Sequence, residues 1–454
     1  MLNDKKMTLS GWGRHPIEEC YTNRPEIQED IKHILLDGVQ KSYISFGLGR
    51  SYGDTPLNLN HGVILTTKLN KFISFDPTTG VIECEAGVSF AEIIEYFLPK
   101  GFFLPVTPGT KYVTVGGAIS NDVHGKNLHV DGSFSQHVIS FELLIADGSV
   151  LQCSRESNSE IFWATIGGIG LTGIILTAKF KLIQVETSYY DVRYEKAQNI
   201  EKALQLFQES DDQYQYSVAW IDCLAKGNSL GKCVLMRGNH AKMEQLNNNQ
   251  KQSPLIVKNK YKVNVPINLP SIVLNQASIK LFNKAYYSTQ PSGVNKTVYF
   301  EPFFYPLDSI LNWNRLYGKK GFVQYQAVFP ADQTQGLVRM LEKLSSSNRS
   351  SFLAVLKSSG NEGQGMLSFP KKGYTLALDI PIKDDSLFPF LKELDELVIQ
   401  HGGRVYLAKD STLDPDSFKI MYPRLNEFQA IKNKVDPNGL FSSSMARRLK
   451  ITGD

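Results

Sequence analysis

Cysteine is scarce in this chain. There are five, Cys20, Cys84, Cys153, Cys223 and Cys233, and no two form a C-x-x-C pair. An odd, sparse set in 454 residues argues against a disulfide framework and for reduced thiols in a cytoplasmic protein. Long apolar runs are also missing. Nowhere do about 18 apolar residues follow one another, so no membrane-crossing helix is expected. The opening Met1-Leu-Asn-Asp-Lys-Lys6 leads into no apolar stretch, so no signal peptide is expected either. Charge of one sign is not in excess: the net charge of +4 is too small to suggest a nucleic-acid partner. No metal site is expected.

Glycine is what the chain has, and it is clustered. Three stretches lie before residue 174: Gly47-Leu-Gly-Arg-Ser-Tyr-Gly-Asp54, a run from Pro108 to Gly125, and Gly167-Gly-Ile-Gly-Leu-Thr-Gly173. Glycine lets a backbone approach a bulky anion and turn several N–H groups toward it. Three such loops in one region suggest an extended cofactor with a pyrophosphate at its middle. Gly168, Gly170 and Gly173 satisfy G-x-G-x-x-G, but the Rossmann reading requires a strand before and a helix after. Here Ile161–Thr165 has a helical pattern and Ile174–Ile183 a strand pattern, the reverse order. The first loop has the wrong spacing, G-x-G-x-x-x-G, and no helix behind it.

At 454 residues two domains are expected. Early elements are a helix over Asn23–Asp37, strands at 62–67, 72–75 and 81–85, and a helix opened by the capping box Ser89-Phe-Ala-Glu92. Later, helical and extended patterns alternate. Helices are expected at 200–208, 333–344 and 387–400. Strands are expected at 214–223, 233–237, 298–304, 322–329, 352–357 and 374–382. The architecture is α+β: a cofactor domain over 1–187, a substrate domain over 188–403 with a broad sheet and helices on one face, and a tail over 404–454.

From Gln245 to Phe300 there is no Asp or Glu, but seven lysines: Lys251, Lys258, Lys260, Lys262, Lys280, Lys284 and Lys296. Apolar residues such as Leu255, Ile267, Ile272, Val273, Leu274, Leu281 and Phe282 are interleaved without an evident helical or strand period. One reading is a solvated insertion with chance charge segregation. The other is a patch facing anionic lipid, since cations beside apolar side chains favour that interface.

The order GLGRSYGD, PGT-x-x-VTVGGAI, D-x-HGKN, FWAT and GLTGII resembles the vanillyl-alcohol-oxidase type of FAD flavoprotein. Within it the likeness is to the branch of decaprenylphosphoryl-ribose 2′-oxidases. It extends through Trp313-Asn-Arg315, Gln324-Tyr-Gln326, Tyr406-Leu-Ala-Lys-Asp-Ser411 and Ser444–Leu449. The resemblance implies FAD held by Ser45, Phe46, Gly47, Leu48, Gly49, Arg50, Ser51, Tyr52, Gly53 and Asp54. It adds Gly109, Thr114, Gly116 and Gly117, then Asn121, Asp122 and His124, and finally Ile175 and Tyr406. Many relatives bind flavin covalently through a histidine in the first loop. This chain reads Gly49-Arg-Ser-Tyr52 there, so dissociable FAD is expected.

Catalysis is expected from Lys409, His124 and Tyr52. For His124 the plain alternative is a satisfied structural histidine, and for Lys409 a surface lysine. Substrate contacts implied by the likeness are Lys126, Trp220, Phe304, Arg315, Gln324, Gln326, Lys357, Ala377 and Lys409; Trp220 and Phe304 read equally well as core. Mycobacterial members of the branch have cysteine at Ala377 and tyrosine at Phe304. The implied reaction is FAD-dependent oxidation of the 2-hydroxyl of a polyprenyl-phosphoryl pentose, the first half of a 2-epimerisation toward arabinose for the cell envelope. An NAD(P)H-dependent keto-sugar reductase would complete it, at the inner face of the membrane. The rivals are a soluble alditol or aldonolactone oxidase and a flavin-binding partner protein without turnover.

Overall fold

A computed structural model describes residues 4–258, 261–270, 275–347, 349, 351 and 353–453. Lys260, Ile272, Val273, Leu274 and Phe352, named in the sequence reading, lie outside these.

Two sheets precede residue 182. The first has four strands, in which Tyr43–Phe46 and Ile17–Asn23 each run parallel to Gly62–Leu65. The second has five strands, with Ile174–Lys181 between Val81–Glu85 and Val138–Leu144. The expected Asn23–Asp37 helix is shorter. Asn23 ends a strand and the helix is Gln28–Leu36, followed by Gly38 at φ +61°. The capping box forms as expected: Glu92 N donates to Ser89 Oγ at 3.2 Å and Ser89 N donates to Glu92 Oε2 at 2.7 Å. It opens the helix Phe90–Phe97, whose buried face (Phe90, Ile93, Ile94, Phe97) joins Phe134, Phe141, Phe162 and Phe180 in the core. Each such side chain contributes about 1.5–3 kcal/mol on burial.

From Tyr189 to Val405 the chain builds one antiparallel sheet of eight strands. Along Phe322–Pro330 side chains alternate between its faces. Tyr325 turns to one face and its hydroxyl donates to Asp395 at 2.8 Å, on the helix Leu387–Gln400. Gln324 and Gln326 turn to the other face, where the cavity lies. Register places Gln326 opposite Ala377, Gln324 opposite Asp379, and Lys357 opposite Thr375. The helices Ile200–Ser210, Thr334–Ser346 and Leu387–Gln400 pack against this sheet.

The expectation of helices on one face alone is corrected by the acid-free stretch. It contains a helix, Gln276–Thr289, and its last residues, Val294–Tyr299, form the sheet's edge strand. Tyr286 of that helix packs on Trp220 at 4.7 Å, and Ile279 joins Trp313 and Phe322, so it covers part of the cavity face. The strand expected over 298–304 is corrected for most of its length: only Val298 and Tyr299 are extended, and Phe300–Phe304 is helical.

Candidate functional site

A cavity of about 270 Å³ lies where the three glycine loops, the eight-stranded sheet and the returning tail meet. The loops meet closely because they lack side chains. A Cβ on Gly47 would stand 2.5 Å from Thr114 Oγ1, and one on Gly116 would stand 3.0 Å from the Ala86 Cβ. Thr114 caps the short helix Val115–Ser120 by accepting from Gly117 N. The third loop runs through left-handed conformations at Gly167, Ile169 and Gly170. For the β-branched Ile169 that is strained. Hydrogen bonds from Gly167 N to Ile119 O (3.1 Å) and from Ile169 N to Ser120 O (2.8 Å) hold it there. As argued from the sequence, the G-x-G-x-x-G run follows a helix, Ser159–Thr165, and precedes a strand.

The tail docks on the first loop. Tyr52 N donates to Ala408 O at 2.9 Å, and a Cβ on Gly53 would stand 1.9 Å from Asp410 O. Arg448 bridges Asp54 and Asp410 at 2.8 and 2.9 Å. This brings the Lys409 ammonium over the Tyr52 ring, 3.9 Å from its centroid.

The polar end of the cavity carries excess positive charge. Burial pushes Lys357 down to about 8. Lys126 falls to about 7 through burial and then Lys357. Lys409 falls to about 7 through burial, with Asp379 opposing and Lys357 adding. Burial pushes Asp379 up to about 7, against Gln324, Lys409 and Tyr317. The Asp379 carboxylate accepts from Gln324 Nε2 and from the Tyr317 hydroxyl, the latter at 3.3 Å. Burial, with Lys357 and Lys409, holds the His124 imidazole well below its usual range, hence neutral. Gln326 Nε2 stands 2.8 Å from His124 Nε2 and 3.1 Å from Thr375 Oγ1. This network assigns the imidazole proton to Nδ1, which is buried without a partner among the described residues.

The cavity is lined by Ser45, Gly47, Leu48, Gly49, Arg50, Ser51 and Tyr52 of the first loop, and by Gly109, Thr114, Gly116, Gly117, Asn121 and His124 of the second. Of the other expected residues, Ile175, Gln324, Gln326, Lys357, Ala377, Tyr406 and Lys409 also line it. Other expected residues lie elsewhere. Phe46 supports Gly49 from behind, Gly53 and Asp54 seat the tail, and Asp122 is wholly buried behind the second loop. Lys126 donates to Phe303 O outside the lining. Trp220 is covered by Tyr286. Phe304 is core, against Tyr190 and Tyr216 at 4.9 and 5.0 Å. Arg315 donates to Val265 O and Pro266 O, anchoring the lysine-rich segment.

Sequence reasoning missed Trp12, Asp308 and Asp379. Only Asp379 had a local signal, an acid at alternate spacing in an apolar strand. The fit to FAD rests on the glycine cradle and on the buried Oδ1 of the lining residue Asn121, which has no partner among the described residues.

Residues 23–154 match the model of the FAD binding domain, and residues 381–449 match that of D-arabinono-1,4-lactone oxidase. The chain is 38% identical over 448 residues, 98% of its length and 97% of the relative's, to the decaprenylphosphoryl-β-D-ribose oxidase of Mycolicibacterium smegmatis. It is 32% identical to an uncharacterized protein of Streptomyces coelicolor, over 80% of this chain and all of that one. A putative D-arabinono-1,4-lactone oxidase of Neurospora crassa shares 26% identity over 35% of this chain and 29% of its own. The glycine cradle, the α+β fold and this end-to-end likeness agree: the chain belongs to the family of the M. smegmatis decaprenylphosphoryl-β-D-ribose oxidase, FAD-dependent oxidoreductases of the vanillyl-alcohol-oxidase type.

Proposed function

We propose that this protein binds FAD noncovalently and oxidises the 2-hydroxyl of a polyprenyl-phosphoryl pentose to the 2-keto sugar. The observation that carries the substrate class is the pair Lys409 and Lys357 at one end of the cavity, with Lys126 behind Lys357 outside the lining and Asp379 the carboxylate set against Lys409. A neutral polyol gives those charges nothing to meet, whereas a phosphoryl sugar does. In this reading residues 1–187 with the returning 404–454 hold the cofactor, and 188–403 hold the substrate. The backbone of 47–51 and Gly116–Gly117 would hold the pyrophosphate, and Ile175 would stand on the adenosine side.

Bound FAD supplies the acceptor for the hydride leaving the carbinol carbon. Lys409, as free amine, takes the hydroxyl proton, and as ammonium it then stabilises the negative charge that reduction places nearby. Asp379 favours that ammonium, and Gln324 fixes Asp379. Neutral His124, held by Gln326, orients the sugar through its Nδ1–H. Lys357 and Lys126 contribute charge beside it. Tyr52 forms the floor under Lys409.

An NAD(P)H-dependent reductase would return the ketone with inverted configuration, giving an arabinose precursor for the cell envelope. The lysine-rich stretch would rest on the inner face of the membrane, from which such a lipid is presented. The second reading, an alditol or aldonolactone oxidase, has in its favour the match over 381–449. That segment carries Lys409 and the tail, which serve the flavin side in either reaction.

Anaerobic flavin bleaching by a panel of polyprenyl-phosphoryl pentoses, free alditols and aldonolactones tests the proposal. Bleaching is expected with the phosphoryl pentose, and acid precipitation of the oxidised protein should leave the yellow colour in the supernatant. Faster bleaching by a free polyol would overturn the substrate class; colour retained on the pellet would overturn noncovalent binding.

A further inference from the structure

Arg50 stands in the first glycine loop, yet its side chain faces another way. The guanidinium lies over the Trp12 ring, 3.7 Å from its centroid, with the Tyr112 ring 5.3 Å away. Its Nε is buried without a partner, and among the described residues no acceptor binds the rest of the group. Its charged neighbour is Asp308, a carboxylate already accepting from Lys111 N at 2.9 Å. Arg50, Trp12, Leu307, Asp308 and Trp313 all line the cavity.

A guanidinium with unspent donors, one face covered by an indole, has the chemistry of a phosphate site. Its planar fork matches phosphate oxygens, and cation–π contact holds the plane still. Two phosphates are on offer, the FAD pyrophosphate and the phosphodiester of the substrate. Position favours the substrate. Trp12, Leu307, Asp308 and Trp313 all fall outside residues 23–154, which match the cofactor-binding model. The Tyr112 hydroxyl beside Arg50 accepts from Lys262 of the lysine-rich segment, so this wall of the cavity is the one that segment borders. The pyrophosphate has its own cradle in the glycine backbone.

We propose that Arg50, laid on Trp12, receives the phosphate of the lipid-phosphoryl sugar and so decides for phosphorylated over free sugars. The inference rests on the substrate class proposed above.

The test uses FAD-loaded protein and a short prenyl monophosphate carrying no sugar, with the matching prenyl alcohol as control, read by tryptophan fluorescence. Arg50→Met should weaken prenyl monophosphate binding about tenfold or more, the loss expected for a charge-assisted pair. Alcohol binding and the FAD dissociation constant should stay within about twofold, which marks a lost phosphate contact rather than a damaged fold. With the phosphoryl pentose the variant should raise KM and leave kcat nearly unchanged. If FAD affinity drops while the remaining holoprotein binds prenyl monophosphate as before, Arg50 serves the cofactor and the proposal fails. It fails equally if neither affinity moves. Should Arg50→Met not fold, Trp12→Leu carries the same test, and unchanged phosphate affinity there overturns the proposal. If the wild type binds prenyl monophosphate through Arg50 but is not reduced by any phosphoryl pentose, the substrate proposal falls and the phosphate site stands.

Discussion

At the residue scale the site turns on Lys409 and Asp379, an ammonium pushed down and a carboxyl pushed up until both titrate at about 7. Interacting groups of this kind share their titration. Lys357, His124, Tyr317, Gln324 and Tyr52 are the other polar groups around them. In the proposed mechanism the free-amine form of Lys409 accepts the proton, so flavin reduction should rise with pH through an inflection near 7. Asp379→Asn removes the anion that favours the ammonium. The Lys409 pKa then falls, and the inflection should move to lower pH. Lys409→Met should abolish the inflection and slow reduction about 10²-fold or more, while FAD stays bound. Stopped-flow reduction from pH 5.5 to 9 reads all three proteins; an unmoved inflection in Asp379→Asn would break the pairing.

At the element scale the returning tail matters most. The helix Ser444–Arg448 places Arg448 against Asp54 of the first loop and Asp410 beside Lys409. One side chain therefore fixes two parts of the site. Removing one partner of a largely buried ion network costs about 3–5 kcal/mol, because the remaining charges stay desolvated. Arg448 keeps some exposure, so Arg448→Ala should cost nearer about 3 kcal/mol in urea unfolding, and the holoprotein should melt several degrees lower. A loss under about 1 kcal/mol would mean that the tail docks through its apolar side chains alone.

At the scale of the whole molecule, no described helix is long and apolar enough to cross a membrane. The lysine-rich stretch instead presents apolar residues at the surface: Tyr261 is 96% exposed, Leu281 71%, Ile267 66% and Val263 61%. Lys280 and Lys284 are exposed neighbours of Leu281 on the helix Gln276–Thr289. Each lysine near an anionic surface is worth about 1 kcal/mol, screened by salt. Reversing both to glutamate should weaken binding to anionic vesicles roughly 30-fold or more at low salt and leave the FAD spectrum unchanged. Co-sedimentation measures it; wild-type protein that ignores such vesicles would remove the membrane from the account.

Much of the fold and site was legible along the chain. The capping box at Ser89 and the helix Leu387–Gln400 followed from local chemistry and from the period of apolar residues. The glycine loops showed a cofactor, because only glycine tolerates such close backbone approach at Gly47 and Gly53. The helix Gln276–Thr289 was missed, since only Ile279 and Asn283 among its described side chains are buried and two positions make no visible period. The run before Phe304 defeated the reading because a short apolar segment fits a strand or a buried helix equally well. The sequence alone determined the family and the cofactor, and it offered Lys409 as a candidate that the fold places in the cavity. Tertiary structure alone decided that Asp379 faces Lys409, that Phe304 and Arg315 stand away from the cavity, and that Arg50 lies on Trp12. Each of these depends on which distant residues share a space, and residues 50 and 308, or 379 and 409, are brought together only by packing the sheet against the loops and the tail.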